Sequence, residues 1–380
     1  MPLWEMNLRH LQAIVQISDL GTMNAAAQAV NLTQPAITQA LGRIEKLLDV
    51  PLFERRHDGM VATDAAELFV PRIRAALEHM ASPTVTMSRM RALLALADAG
   101  SYNGASLVTG LSLPSLHRAV NDLSLSLRRT LVERRGKAVT LTDVGQQMAR
   151  TFRLARVELE AGLAELDALK GYETRSIAIG AMPLSRARVL PAAISRFQRC
   201  HPQVRIAIIE GSRAELVEPL RNGAIDFMIG ALRDPLIEPD LVQVPLFRDR
   251  PAIVARKGHP LELREPSLAD LATYPWIVAA PGAPLRGIWE QMFAEAGLKQ
   301  PSVPIEAGSV MIIRQLLIHG DYLALLSLDQ VAVELEAEWL VALRSAPPGM
   351  ERSIGVTTRA SWRPTQVQAE FIEDLETVSV

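Results

Sequence analysis

One short segment of the N-terminal half carries amide, hydroxyl and cationic side chains at helical spacing, which is chemistry suited to reading DNA. On one side of the predicted helix from Thr33 to Lys46 these side chains form a polar face, opposite the apolar positions. Amides and hydroxyls can bond base edges in a major groove, and cations can meet phosphates. Two arginines then open a predicted hairpin beside the helix. The predicted DNA contacts are Thr33, Gln34, Pro35, Thr38, Gln39, Arg43, Arg55 and Arg56.

The apolar residues behind this face are what must hold it in place. Ile37, Leu41, Ile44 and Leu48 recur at helical spacing and predict a buried stripe. Thr33 is suited to cap the helix, and Pro35 falls in the first turn, where its missing N–H is harmless. A helical stripe, a glycine and a small alanine-rich helix precede it over residues 8–30. Three helices and a hairpin are therefore expected.

The same pattern occurs twice. Residues 8–66 align without a gap to residues 87–145, and 15 of the 59 aligned positions are identical. The segment from Leu52 to Arg56 returns as Leu131 to Arg135. Self-similarity of this kind predicts two structural copies.

The second copy departs from the first at positions that would face DNA. Leu113 stands where the first copy has Gln34, and Asp122 stands where it has Arg43, so an acidic group would meet phosphate. The hairpin of copy 2 is more basic than the hairpin of copy 1. Either copy 2 holds the DNA backbone or it is a packing spacer; in the former case its contacts are His117, Arg118, Arg134, Arg135 and Lys137.

A long helix is predicted from Asp143 to Leu169. Its apolar residues recur at spacings of mostly three and four, and such a stripe requires a partner. That partner is either a second subunit or the helix's own domain. Copy 1 has a shorter equivalent, 67–80, which precedes Ser82 and Pro83.

The N-terminal motifs resemble the winged helix-turn-helix of LysR-type transcriptional regulators. The resemblance rests on Leu11, on the segments 21–26, 32–38 and 52–55, on Ile44 with Glu45, and on Thr63. It implies that the long helix is a linker helix that pairs two subunits. We therefore place dimerisation on the helix 143–169 and expect at least a dimer, a homodimer or homotetramer.

The C-terminal half alternates strands and helices, which predicts parallel sheets with helices on their faces. Its motifs resemble the effector-binding domain of the same regulators, which implies a two-lobed fold like that of periplasmic binding proteins. They are Ile179-Gly180, Phe197, His201-Pro202, Glu210-Gly211, Leu220, Gly223, Asp226 and 258–261. The stretch from Tyr274 to Arg286 resembles the subgroup that responds to sugars or small carboxylates.

Effector contacts are expected where segments follow strands and where helices begin. Arg286 could pair a carboxylate bidentately. The alternative is that the serines cap helices and that Arg286 is a surface charge. The candidates are Met182, Ser185, Ser212, Pro281, Leu285, Arg286, Ser309 and Met311.

The predicted fold class is therefore multi-domain α/β, with two tandem winged helix-turn-helix domains, a linker helix and a two-lobed effector domain. The expected bounds are 6–82, 84–142, 143–170 and 175–380. Lobe 1 takes about 175–247 with 350–380, and lobe 2 takes about 248–349.

Composition and motifs exclude several other classes. The chain has 380 residues, of which 49% are hydrophobic and 22% charged, as in ordinary globular proteins. Its single cysteine, Cys200, can form no internal disulfide and lacks a resolving partner for redox sensing. No nucleotide-binding loop, catalytic triad or zinc spacing is present, so we expect no enzyme, cofactor or metal.

The expected partners are double-stranded DNA, a small-molecule effector and the chain itself. No membrane segment is predicted, and the location is expected to be cytoplasmic. Two other functions are weighed: a small-molecule-binding protein whose N-terminal half is an interaction module, and an enzyme that uses the two-lobed cleft. The effector, the promoter and the direction of regulation are not encoded in any motif.

Overall fold

The computed structural model describes residues 2–57, 59–80, 85–135, 138–172 and 176–379. The chain divides into two compact units whose boundary falls at residues 175–176. The first unit is helical with two small hairpins, and the second contains two five-stranded sheets. The predicted multi-domain α/β class is confirmed.

The first unit begins with a 3-10 turn, Pro2–Glu5, and copy 1 follows. Three helices precede an antiparallel hairpin, and a longer helix follows it. They are α1 (Leu8–Leu20), α2 (Met23–Ala29), α3 (Gln34–Leu48), β1 (Phe53–Arg56), β2 (Gly59–Ala62) and α4 (Asp64–Met80).

Copy 2 repeats these elements at the offset that the sequence alignment gives. They are α5 (Met87–Ala99), α6 (Tyr102–Thr109), α7 (Leu113–Leu127), β3 (Val132–Arg135), β4 (Ala138–Leu141) and α8 (Asp143–Leu169). The bounds of α8 are those predicted. Because α4 starts at Asp64, the copy-1 equivalent is longer than the predicted 67–80.

Interactions repeat along with the elements. Arg74 bonds Asp19 with Nη2 and Oδ1 2.6 Å apart, and the equivalent Arg153 bonds Asp98 at 2.6 Å. Each pair ties the end of a copy's first helix to its last helix. This agreement of side-chain contacts shows two folded copies, not two stretches of similar composition.

The apolar stripe of α8 is buried inside the chain. Phe152, Ala155, Leu159 and Leu166 are fully or almost fully buried, in the same hydrophobic core as the stripe of α4. Helix α8 packs along α4. Within the chain, α4 covers the central part of this stripe, which is the alternative that the helix packs on its own domain, while Leu169 is half exposed. Dimerisation through 143–169 stays a prediction.

A buried charge cluster joins the two helices. The Arg72 guanidinium on α4 donates from Nη2 to Glu165 Oε1 at 2.7 Å and from Nη1 to Glu158 Oε2 at 3.1 Å. All three side chains are almost completely buried. Buried charges are tolerated only when paired with good geometry, so this cluster fixes how α4 lies on α8.

The second unit contains two lobes, each built on one sheet. Lobe 1 has strand order β6-β5-β7-β14-β8. Its elements are β5 (Ser176–Ala181), α9 (Val189–Cys200), β6 (Arg205–Glu210), α10 (Arg213–Arg221), β7 (Phe227–Ala231), β8 (Leu241–Asp249), β14 (Arg352–Arg359) and α15 (Gln366–Val378).

Lobe 2 has strand order β11-β10-β12-β9-β13. Its elements are β9 (Ala252–Arg256), α11 (Leu268–Leu271), β10 (Trp276–Val278), α12 (Pro284–Glu295), β11 (Ile305–Glu306), α13 (Val310–His319), β12 (Leu323–Leu326), α14 (Ala332–Glu336) and β13 (Leu340–Ser345). Two aromatic residues of α12, Trp289 and Phe293, pack on Trp276 in its core.

The sheets are mixed, so the prediction of parallel sheets is only partly correct. In lobe 1, β5 pairs in parallel with β6 and β7, but β14 is antiparallel to both β7 and β8. In lobe 2, β9 is antiparallel to β12 and β13. The chain crosses between lobes from β8 to β9 and returns from β13 to β14, and these crossing strands are the antiparallel ones.

Replacing Arg72 by alanine leaves Glu158 and Glu165 buried without their cation. We expect the free energy of opening of the α4–α8 pair to fall by about 3–5 kcal/mol. Hydrogen exchange of the α4 and α8 amides measures this loss, because local opening limits their exchange.

The matched control is Arg74→Ala, on the same helix. It removes a partly exposed pair, so we expect a loss of only about 0.2–1 kcal/mol. Equal losses in the two variants would mean that burial of the Arg72 cluster does not matter.

Candidate DNA-reading helix and effector cleft

Helix α3 presents the predicted polar face to solvent. Its apolar side, Ile37, Leu41 and Ile44, is buried in the core. The N-cap is Thr33, whose Oγ1 accepts the Ala36 N–H at 3.4 Å. The polar residues predicted to meet DNA are all exposed, namely Thr33, Gln34, Pro35, Thr38, Gln39 and Arg43.

The hairpin of copy 1 is held against α1 and α3 by specific bonds. The Glu45 carboxylate on α3 accepts the Leu52 N–H at 2.8 Å, which fixes the start of β1. The Met60 N–H donates to the Gly21 carbonyl at 2.7 Å. A Cβ at Gly59 would lie 2.5 Å from that same oxygen, so only glycine fits there. Arg55 and Arg56 remain exposed on β1.

Copy 2 has the same frame with a different outer surface. His117 stacks on Tyr102 with ring centroids 3.7 Å apart, and Arg118 and Arg134 are exposed. Arg135 belongs to β3, and Lys137 lies outside the described residues. For copy 2, a backbone contact and a spacer role both stay predictions.

The predicted effector residues of lobe 1 lie on loops at the carboxyl ends of β5 and β6. Ser185 is fully buried, and its Oγ donates to the Met182 carbonyl at 2.9 Å, closing a turn. Ser212 Oγ donates to Glu215 Oε2 at 2.8 Å. Bonds from the Ser212 backbone N–H and hydroxyl lower the Glu215 pKa. Ser212 thus acts as a helix-capping residue, which is the alternative weighed for it.

The predicted residues of lobe 2 follow β10 and β11. Arg286 donates to Glu290 Oε1 at 2.7 Å and to Glu306 Oε1 at 3.1 Å, so it is already compensated by two carboxylates. Bonds to those carboxylates raise its pKa. Ser309 begins α13 without a side-chain capping bond. Around these residues, Leu285 is partly buried, while Pro281 and Met311 are exposed.

The two lobes meet where these loops face one another. Arg188, after β5, lies 3.6 Å from Asp329, after β12, measured from Nη1 to Oδ1. On lobe 1, Arg186 donates to the Ala181 carbonyl at 3.1 Å and to Glu210 at 2.8 Å, linking the ends of β5 and β6. Sequence reasoning missed Arg186, Arg188 and Asp329. The available signal was position after a strand, because Arg188 follows β5 and Asp329 follows β12 in the chain.

The described residues contain neither a candidate membrane span nor a candidate metal site. No helix among them is long and apolar enough to cross a membrane. No group of three or more potential metal ligands occurs in the same part of the chain.

The fold and the two sites define a DNA-binding regulator with a two-lobed ligand domain. The bacterial regulatory helix-turn-helix protein family, lysR type, matches residues 8–67 and again 87–146. The LysR substrate binding domain matches residues 170–379. The chain belongs to the LysR family of bacterial transcriptional regulators.

Curated relatives and solved structures agree with this assignment. The HTH-type transcriptional regulator GalR of Pseudomonas putida is 32% identical over 367 residues, covering 93% of this chain and 92% of that protein. The SDS degradation transcriptional activation protein of a Pseudomonas species is 31% identical over 283 residues, covering 72% and 90%.

Among solved structures, CbnR, a LysR family transcriptional regulator, aligns with a TM-score of 0.54 at 18% identity. It covers 77% of this chain and 98% of its own. A full-length OxyR variant from Pseudomonas aeruginosa aligns with a TM-score of 0.54 at 22% identity, covering 77% and 96%. These structures share the fold and are matched over almost their whole length, whereas about a quarter of this chain lies outside each alignment.

The repeat supplies a matched pair of substitutions for the DNA surface. We expect Arg43→Ala to weaken operator binding and to reduce the slope of log affinity against log salt by about 1, since one phosphate contact is lost. Asp122→Ala, at the equivalent position of copy 2, removes a negative charge and is expected not to weaken binding. Salt titrations of both variants measure this, and an unchanged slope for Arg43→Ala contradicts the assignment.

Proposed function

We propose that the chain reads its operator with α3 and the hairpin of copy 1, and that a sugar or small carboxylate between the two lobes switches it. The observation that carries the proposal is the two-sided character of α3. Its polar side is exposed, while Ile37 and Leu41 anchor the other side in the core. Recognition in a major groove requires a helix whose apolar face is packed on its own domain and whose polar face is exposed to solvent.

The effector part of the proposal rests on what surrounds the two lobe edges. Arg286 and its partners Glu290 and Glu306 offer hydrogen-bond donors and acceptors side by side. Hydroxyl groups can bond to both kinds, whereas a carboxylate has to displace Glu306 from the guanidinium. The start of α13 adds backbone N–H groups and the Ser309 hydroxyl.

Binding between the lobes favours whichever lobe arrangement the ligand contacts better, and this differential affinity is the switch. We further propose that the protein acts in the cytoplasm as a homo-oligomer and has no catalytic role. The family assignment supports these proposals, because the relatives are transcriptional regulators.

The test of the proposed function is the DNA that the purified full chain retains from genomic fragments. Sequencing should give a shared motif, and binding to it should weaken steeply with salt. The same protein is then screened by thermal unfolding against sugars and small carboxylates. A ligand at 100 times its Kd should stabilise it by about 2.7 kcal/mol. Retention of DNA without any shared motif would reject sequence-specific reading, and failure to retain DNA at low salt would favour an interaction module.

The ion pair between Arg188 and Asp329 is expected to stabilise the approach of the two lobes. Because it is exposed, it should contribute about 0.2–1 kcal/mol. Arg188→Ala and Asp329→Asn should each raise the effector concentration for half-maximal DNA response by up to about fivefold. The double variant should add nothing to either single change. Fully additive effects would show that the two residues do not act on each other.

A further inference from the structure

The two winged domains of one chain are joined by sequence-equivalent helices. Ile73 and Ala76 of α4 correspond to Phe152 and Ala155 of α8 in the repeat, and all four are fully buried. In a symmetric dimer the same patch of each subunit forms the interface. Here two copies of one patch meet inside a single chain.

The helices run in opposite directions. Lys170, just beyond the end of α8, donates from Nζ to the Leu48 carbonyl, at the end of α3 in copy 1. The nearby Thr63 N–H bonds the Leu52 carbonyl, which places the start of α4 close to that end. Arg72, further along α4, meets the earlier Gly162 of α8, where an added Cβ would lie 3.0 Å from the Arg72 Cβ. Antiparallel pairing of equivalent helices is the arrangement that a two-fold axis between the copies would give.

Other contacts also join copy 1 to copy 2. The Arg91 guanidinium on α5 of copy 2 lies over the Trp4 ring, 5.9 Å from its centroid, in the turn that precedes copy 1. The buried Arg72 cluster adds charge complementarity that a helix without Glu158 and Glu165 could not offer. Copy 1 has no equivalent acids, because Glu165 aligns with Thr86 and α4 ends before that position.

The outer surface of copy 2 has diverged from that of copy 1. Where α3 has Gln34 and Lys46, α7 has Leu113 and Leu125, which are 38% and 67% exposed. Apolar side chains at these places cannot bond base edges or phosphates. Copy 2 has kept the pairing helix and has changed its outer face at the positions of Gln34, Arg43 and Lys46, whereas His117 and Arg118 keep it polar at two others.

We propose that α4 and α8 stay paired within each chain of the assembled regulator, so that copy 2 takes the place of a second DNA-binding subunit. Each chain then carries a closed internal pair with one base-reading helix, α3, and the DNA-binding halves of two chains do not exchange helices. The part of this inference that concerns base reading rests on the proposed function, whereas the pairing does not.

Chemical cross-linking of the full wild-type chain tests the pairing. Equal amounts of unlabelled and ¹⁵N-labelled protein are mixed in denaturant, refolded together and treated with a short amine-reactive cross-linker. Lys46 lies on α3 just before Leu48, so it is within reach of Lys170. We expect cross-linked Lys46–Lys170 peptides to be entirely light or entirely heavy. Peptides of mixed mass at the statistical share, or no cross-link between these lysines, would overturn the internal pairing.

Charge inversion gives an independent measurement if refolding yields are low. One chain carries Arg72→Glu, and another carries Glu158→Lys with Glu165→Lys. Internal pairing predicts that neither chain, alone or co-expressed with the other, regains wild-type hydrogen-exchange protection of α4 and α8. The three substitutions in one chain should restore protection, because one anion again meets two cations. Recovery on co-expression would show exchange between chains and overturn the proposal.

The two hypotheses fail separately, because neither readout of pairing needs DNA. An internally paired chain that retains no operator would reject the proposed function and leave the pairing standing. A chain that binds its operator and yields mixed-mass cross-links would do the reverse.

Discussion

The buried contact of Arg72 with Glu158 and Glu165 is the constraint on which the N-terminal half depends. A guanidinium taken out of water is stable only where carboxylates meet it with good geometry, and both acids are on one helix while the cation is on the other. Sliding α4 along α8 would separate these charges in a dry interior. The apolar residues of the two helices supply most of the burial, but the charges select one register, as isolated polar groups do in paired helices.

The two copies show which positions folding constrains and which it leaves open. Core residues keep their character across the repeat, as with Ile37 and Leu116 or Ile44 and Leu123, all fully or nearly fully buried. The capping residues keep theirs too, with Thr33 and Ser112 in the same role. The outward positions of α3 and α7 differ in charge and polarity because packing does not restrict them. Function can therefore change on one copy without loss of its fold.

Much of this architecture could be predicted from the sequence. The helix caps, the stripe on α3 and the bounds of α8 follow from spacing alone, because each is a local property. The partner of the α8 stripe could not be predicted, since periodicity shows that a face is buried and not what buries it. The charges of Arg72 and Glu158 within the two buried helix faces were the available indication. Strand β8 does not stand out in the sequence because Pro245 interrupts its pattern, which an edge strand tolerates.

The candidate sites also contain some features that local sequence patterns predict and others that only the packing of distant elements creates. The DNA face of α3 is one side of one helix, so its exposed residues could be named from the sequence. The approach of Arg188 to Asp329 depends on how two sheets face each other, which no local pattern contains. The contact of Arg286 with Glu306 is also non-local, since Arg286 lies on α12 and Glu306 on β11, whereas its other partner, Glu290, is one turn away on the same helix.

The internal pair also limits how an effector signal can reach DNA. Helix α8 precedes the effector unit in the chain, and the buried charges bond it to α4. We therefore expect α4, α8 and the two winged domains to move together unless that cluster opens. Opening it would cost about as much as breaking a buried ion pair, which exceeds typical allosteric coupling energies of about 1–3 kcal/mol. On the functions proposed above, a ligand between the lobes would therefore act more cheaply by changing how whole internal pairs from different chains are placed. The spacing of the two heads within one chain stays fixed.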